Sequence, residues 1–280
     1  MALPPAEQHI SPQQLLDWIN VPDLTSHDME RIDERRKVWV PANEQASAEH
    51  VIQARQFQEW LVSPNSTQLL IHGNYDRERL VSGLSLFCTS FVRALAERGP
   101  RFIHLVFFCG LHVDADVDDH AGPRAIIQIF ICQLLCQFDF GTTVPASTVS
   151  RELVQFGDLD TLCGVFQTLV HRLPRNIVLV CVIDGVVYYE RPDFYDDFGT
   201  VLVAILRLSG EQSTQAAVKV RVTSPTTTKE ARLPFPGELI LSMDAMAQPR
   251  WVASRTRVER QLGEVYDEAS MQKRWNTGGN

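Results

Sequence analysis

The spacing of apolar residues changes character at about residue 67. Before it, apolar positions are sparse and fall at helical intervals; after it, short runs that are apolar throughout alternate with longer amphipathic stretches. Ser11-Pro12 opens a short amphipathic segment carrying Leu15, Leu16, Trp18 and Ile19. A charged helix is predicted over 26–37, with Thr25 or Ser26 as N-cap. A third helix over 47–61 places Val51, Ile52, Ala54, Phe57 and Trp60 near helical spacing, and Ser63-Pro64-Asn65-Ser66 punctuates the chain. Residues 1–66 thus read as an N-terminal helical arm.

From Gln68 strands and helices alternate. Strands are predicted at 68–72, 102–108, 177–183, 218–223 and 238–243, and helices at 80–98, 126–138, 158–173 and 194–208. Residues 110–122 form an acidic loop, and Pro123 marks a helix start. A last stripe over 251–266 spaces Trp251, Val258, Leu262 and Val265 along one helical face. Alternating elements with strands apolar on both faces predict an α/β fold: a parallel sheet of about five strands with helices on both sides. The expected division is an arm at 1–66, an α/β domain at 67–245 and a C-terminal helical tail at 246–280.

Composition changes this picture little. The 280 residues are 45% hydrophobic and carry a net charge of −8, so there is no basic field to attract nucleic acid or anionic lipid. Residues 1–17 lack the apolar core of a signal peptide, and no run of 18 apolar residues occurs. Six cysteines, each within an apolar stretch, read as reduced buried thiols, and the expected location is cytoplasmic.

In such a sheet ligands bind outside the carboxyl ends of the strands, and three ends invite comparison with phosphate chemistry. The first strand delivers Gly73, then Asn74-Tyr75-Asp76-Arg77-Glu78-Arg79-Leu80. Against the pattern G-x-x-x-x-G-K-[ST], Gly73 fits the opening glycine, Glu78 stands for the second glycine, Arg79 for the lysine and Leu80 for the magnesium-binding hydroxyl. Shifting the frame to Ser82-Gly83 or Ser85 restores a hydroxyl but no lysine. The strand 177–183 followed by Asp184-Gly185 has the form of a Walker B strand, where the acid supports Mg²⁺; capping the following turn is a second sufficient role for Asp184. The next acid beyond it is Glu190. The strand 218–223 ends in Thr223-Ser224-Pro225, in the place of a strand that senses the γ-phosphate.

The order of these pieces resembles the NACHT-type nucleotide-binding domain of the STAND class of P-loop NTPases, and among them the fungal domains described as nephrocystin-3-like. Phe57-Gln58-Glu59-Trp60-Leu61-Val62-Ser63-Pro64, Leu69-Leu70-Ile71-His72-Gly73-Asn74, Phe107-Phe108-Cys109-Gly110, the stretch 126–135, Ile183-Asp184-Gly185 and Thr223-Ser224 carry the likeness in sequence order. The resemblance implies a P-loop NTPase-like sheet. It also implies lost chemistry, because the family's Gly-Lys-Ser/Thr falls on Glu78-Arg79-Leu80, its acidic pair on Val187 and Tyr188, and its sensor arginine on Pro225. The expected function is therefore a non-catalytic scaffold or interaction module in fungal signalling or self-recognition. Its partner is expected to be a protein, an intact STAND relative among the candidates, met through the helical arms. The alternative is an ATP/ADP-binding switch that retains nucleotide through Gly73, Arg79, Asp184 and Thr223.

Other chemistry is weaker. Asp114, Asp116, Asp118 and Asp119 fail the EF-hand pattern at Asp119 and Ala125. His104, Cys109, His112 and His120 match no common zinc spacing, Cys132 and Cys136 share a helix face as a buried pair, and no catalytic or metal-binding residue is expected. Tyr188, Tyr189 and Tyr195 beside Asp196 and Asp197 fit either a pocket lining or, more commonly, a cover over the sheet edge.

Overall fold

The computed structural model describes residues 9–36, 38, 40–75, 79–141, 149–211, 213–246, 254 and 256–265. Helices α1 (Pro12–Ile19), α2 (Leu24–Arg35), α3 (Ala42–His50) and α4 (Arg55–Val62) precede strand β1 (Thr67–His72). Then follow α5 (Gly83–Ala96), β2 (Phe102–Phe108), α6 (Pro123–Gln137), α7 (Arg151–Phe156), α8 (Leu159–His171), β3 (Val178–Asp184), α9 (Tyr195–Gly210), β4 (Ala217–Ser224) and β5 (Ile240–Ser242). A helix α10 at 256–265 closes the described chain.

The five strands form one sheet in the order β2-β3-β4-β1-β5, every neighbouring pair parallel. Alternate residues of each strand feed two cores. Leu70, Leu105, Cys181 and Val220 face the side covered by α1, α6, α7, α8 and α9. Ile71, Val106 and Val182 face the side covered by α2, α4, α5 and α10. The crossover from β1 to β2 runs one way along the sheet over α5, and those from β2 to β3 and β3 to β4 run back over the opposite face. That is the arrangement right-handed crossovers require. The helical arm is therefore part of both layers: α1 packs on α6 and α7, and α2 and α3 pack on α5.

Several boundaries differ from the sequence reading, each for a local reason. Helix α2 starts at Leu24 because Asp23, rather than Thr25 or Ser26, caps it, accepting from Thr25 N (3.2 Å) and Ser26 N (3.4 Å). The single helix expected over 47–61 is two, parted by a 3-10 turn at Val51–Gln53 and by Ala54 in extended backbone (φ −70°, ψ 130°). The break aims Phe57 and Trp60 at Phe91, with ring centroids 6.1 and 5.9 Å apart. Helix α7 was not anticipated: six residues capped by Ser150 and stopped by Gly157 at φ 77° are too few to show a period. Trp251 and Tyr266 lie outside the described residues.

β2 is an outer strand, yet its free edge is not bare. Gln133 on α6 accepts from Val106 N (2.8 Å) and donates to Val106 O (2.8 Å). One turn later, Gln137 does the same for His104 N (3.1 Å) and His104 O (2.7 Å). Two side-chain amides thus stand in for a sixth strand. No helix among the described residues is long and apolar enough to cross a membrane.

Candidate functional site

The chain leaves β1 toward β2 on one side and leaves β4 toward β5 on the other, so the carboxyl ends of these neighbouring strands form the switch point at which such sheets take ligands. Gly73, just after β1, meets Thr223 of β4 and Asp184 of β3 there. Gly73 N donates to Ser224 O (2.9 Å) and Tyr75 N to Pro225 O (2.8 Å), so the segment after β1 continues the pairing with β4. These two amides are thereby used within the chain. Asp76, Arg77 and Glu78, the last of which was matched to the second glycine, lie outside the described residues.

Asp184 is 2% exposed and makes its contacts backward into the fold. Its carboxylate accepts from Ser85 Oγ on α5 (2.6 Å) and from Thr223 Oγ1 on β4 (2.5 Å), with Cys88 Sγ at 3.8 Å. Burial raises its pKa above the ordinary carboxylate range, opposed by those hydrogen bonds and by the Arg221 charge. The Cys88 thiol is pushed up to about 12 by the same burial. Asp184 therefore does not cap the following turn. That turn is made by Gly185, in the left-handed region at φ 75°, whose N donates to Thr223 O (2.9 Å).

The α5 residue that faces Asp184 is Ser85, not the residue at position 80. Ser82 caps the helix, accepting from Leu84 N and Ser85 N, while Ser85 Oγ accepts from Ser82 N (3.1 Å). This reciprocal box fixes the helix start at Gly83, three residues beyond the predicted start. The hydroxyl is thus supplied in the shifted frame Gly83-Leu84-Ser85, and the residue before it, Leu84, is wholly buried and uncharged. Arg79 is not among the groups around Asp184: its guanidinium lies 3.6 Å from Glu44 of α3, and its carbonyl accepts from Tyr188 Oη.

The residues directly after Asp184 supply no free acid: Val186, Val187, Tyr188 and Tyr189 stand there. Val186 and Val187 are buried, and Tyr189 Oη, wholly buried, donates to His112 O (2.9 Å) and accepts from Gly122 N (3.1 Å). Tyr189 is therefore a core residue rather than an edge cover, and Tyr195, half exposed, bonds Glu230 instead (3.1 Å). The Glu190 carboxylate accepts from Lys229 N (3.0 Å), Glu230 N (2.9 Å) and Ala231 N (2.8 Å), so it anchors the turn after β4.

Two groups were not singled out in the sequence, and His112, weighed there only as a zinc ligand, has another role. Lys219 and Arg221 alternate with valines along β4 and are 3% and 0% exposed. Lys219 Nζ donates to Trp60 O (2.6 Å), and the Arg221 guanidinium lies 4.0 Å from the centroid of the Phe91 ring and 5.1 Å from that of Phe87. His112, 3% exposed, bridges Asp28 of α2 (Nε2 to Oδ2, 2.8 Å) and Asp118 of the acidic loop (Nδ1 to Oδ2, 2.7 Å). Burial lowers its pKa, but the two carboxylates outweigh that and raise it overall. The second group is Glu44 on α3, which lies against the first turn of α5.

Among the described residues no cluster of three or more His, Cys, Asp or Glu could hold a metal ion. Cys132 and Cys136 are not a buried pair: Cys136 is exposed and Cys132 half-buried. No protein-family model matches the chain, and no curated protein matches it.

Proposed function

We propose that this chain is a degenerate P-loop NTPase-like domain of the NACHT/STAND kind that works without catalysis, as a scaffold or protein-interaction module. The observation that carries this reading is the closure of the Asp184 carboxylate by Ser85, Thr223 and Cys88. An acid that serves Mg²⁺ faces a hydrated crevice; here it is buried, its raised pKa disfavours the charge a metal needs, and the position before Ser85 holds Leu84. The convergence of Gly73, Asp184 and Thr223 at adjacent strand ends supports the P-loop ancestry, and the occupied polar groups support the loss of chemistry. Three wholly buried free thiols, Cys88, Cys109 and Cys181, suit a reducing compartment such as the cytoplasm. The partner we favour is a protein, with an intact STAND relative as the first to try.

The test is a thermal-shift and calorimetric titration of the full chain with ATP and ADP, with and without Mg²⁺. A ligand that binds the native state stabilises it by RT ln(1 + [L]/Kd). No shift at millimolar nucleotide is the expected result. A saturable shift lost in Arg79→Ala would replace this reading with the nucleotide-switch alternative.

A further inference from the structure

Helix α6 carries Cys132 and Cys136 one turn apart, and both line a pocket of about 350 Å³ beside the outer strand β2. The segment leading into α2 supplies Val21 and Pro22 to the same pocket, and β2 supplies His104. Both cysteines are free, Cys132 half-buried and Cys136 exposed. Burial pushes the Cys132 thiol up to about 12, and the neighbouring Cys136 adds to the rise, so the two sulfurs act on one another. His104 Nδ1 is buried with no hydrogen-bond partner, and burial lowers the imidazole pKa, so the ring is neutral at neutral pH. Among the described residues lining the pocket, Asp23 alone carries a full charge.

Residues four apart on a helix hold their Cβ atoms about 5–6 Å from one another. A disulfide needs about 3.5–4.5 Å, so the helix does not close this pair into one. One ion bonded to both sulfurs spans the wider gap, and thiolates select soft ions. A structural zinc takes four ligands, whereas His104 and the two thiols do not combine into a cluster of three around one ion. The ion class is therefore one that two sulfurs satisfy. We propose that Cys132 and Cys136 form a two-thiolate site for a soft monovalent metal ion of the Cu(I) class at this pocket. On binding, two S–H bonds break, two metal–sulfur bonds form and two protons leave to solvent, with no change in the oxidation state of the ion. Neutral His104 and anionic Asp23 set no positive charge against the cation. Two strands separate β2 from β1 in the sheet, so the site is independent of the strand ends compared above with phosphate chemistry.

The experiment is an anaerobic titration of the full chain with Cu(I) against a chromophoric Cu(I) chelator, in a thiol-free reductant. Uptake of one ion per chain is expected. Cys132→Ser and Cys136→Ser should each abolish that uptake, while Cys163→Ser, on α8, should match wild type. Each bound ion displaces two protons, so the apparent affinity should rise about a hundredfold per pH unit while both thiols are protonated in the free chain. X-ray absorption of the loaded chain should show two sulfur neighbours. No transfer from the chelator, or uptake that survives the loss of either cysteine, overturns the proposal. Zn(II) held as tightly by the same two residues overturns it as well. Because Cys136 is exposed, Cys136→Ser carries the test even if Cys132→Ser does not fold.

Discussion

Ser85 Oγ donates to Asp184 Oδ2 at 2.6 Å and thereby ties the first turn of α5 to the end of β3. The same carboxylate holds Thr223 at the end of β4, so one buried acid joins three elements. Asp184→Ala leaves two buried hydroxyls without their acceptor and the Arg221 charge without its neighbouring carboxylate. Losing one partner of such a buried network costs about 3–5 kcal/mol. Urea unfolding of the full chain measures it, and a variant within experimental error of wild type would dismiss the bridging role. An ATPase signal abolished by the same substitution would dismiss the non-catalytic reading as well.

His112 gives a pH dependence whose sign follows from its partners. Its pKa is raised in the fold, so its contribution is complete below the unfolded histidine value of about 6.5 and drains away as pH rises through the folded value. Asp118 works in the opposite sense. Burial raises its pKa, but the His112 hydrogen bond and others outweigh that and lower it, so its share is lost as pH falls through the folded value. The clamp between α2 and the acidic loop is therefore strongest in mildly acidic solution. His112→Gln should cost about 3 kcal/mol near pH 5.5 and clearly less at pH 9. Denaturant unfolding at both pH values checks this; a gap that does not change with pH would mean that folding leaves the His112 pKa at its unfolded value.

The glutamine pair on α6 predicts a change in association rather than in chemistry. Gln133→Ala with Gln137→Ala uncovers the backbone N–H and C=O of His104 and Val106 along the outer edge of β2. Each group left unmet where water enters poorly costs about 1–3 kcal/mol, and a bare edge invites pairing with another chain. The double variant should be less stable and should scatter more light with concentration. Unchanged stability in a monodisperse sample would show that the cover is dispensable.

The alternation of strands and helices was legible because the sheet is covered on both faces, which makes β2 and β3 apolar throughout. The residues at the switch point were only half legible. Gly73, Asp184 and Thr223 stood at predicted strand ends, so the topology brought them together. Ser85 was seen only as a possible shift of frame, since nothing but the cap at Ser82 fixes where α5 starts. Lys219 and Arg221 were missed because the pattern Val218-Lys219-Val220-Arg221-Val222 alternates as in a strand with one wet face. Instead Trp60, Phe87 and Phe91 from two helices cover that face and take the cation stems and heads. Glu44 was invisible for another reason: it meets Gly83 across 39 positions of sequence, and no local spacing encodes such a contact.

Two glycines separate close approach from mere tolerance. At Gly110 an added Cβ would lie 2.0 Å from the Leu80 carbonyl oxygen and 3.0 Å from the Tyr188 ring. Neither can retreat freely, because Tyr188 Oη is bonded to the Arg79 carbonyl, in the same segment that leads into α5. Gly110→Ala must push that segment off the turn after β2, and overpacking of this kind costs about 1–3 kcal/mol. Gly164 lies inside α8 with nothing within 4 Å of its would-be Cβ. Gly164→Ala should instead stabilise by about 0.5–1 kcal/mol through reduced backbone freedom in the unfolded chain. Chemical denaturation of the two variants side by side decides the matter. Opposite signs support the close packing of residues 79–80 against Gly110, whereas a neutral or stabilising Gly110→Ala would mean that this segment is free to move away.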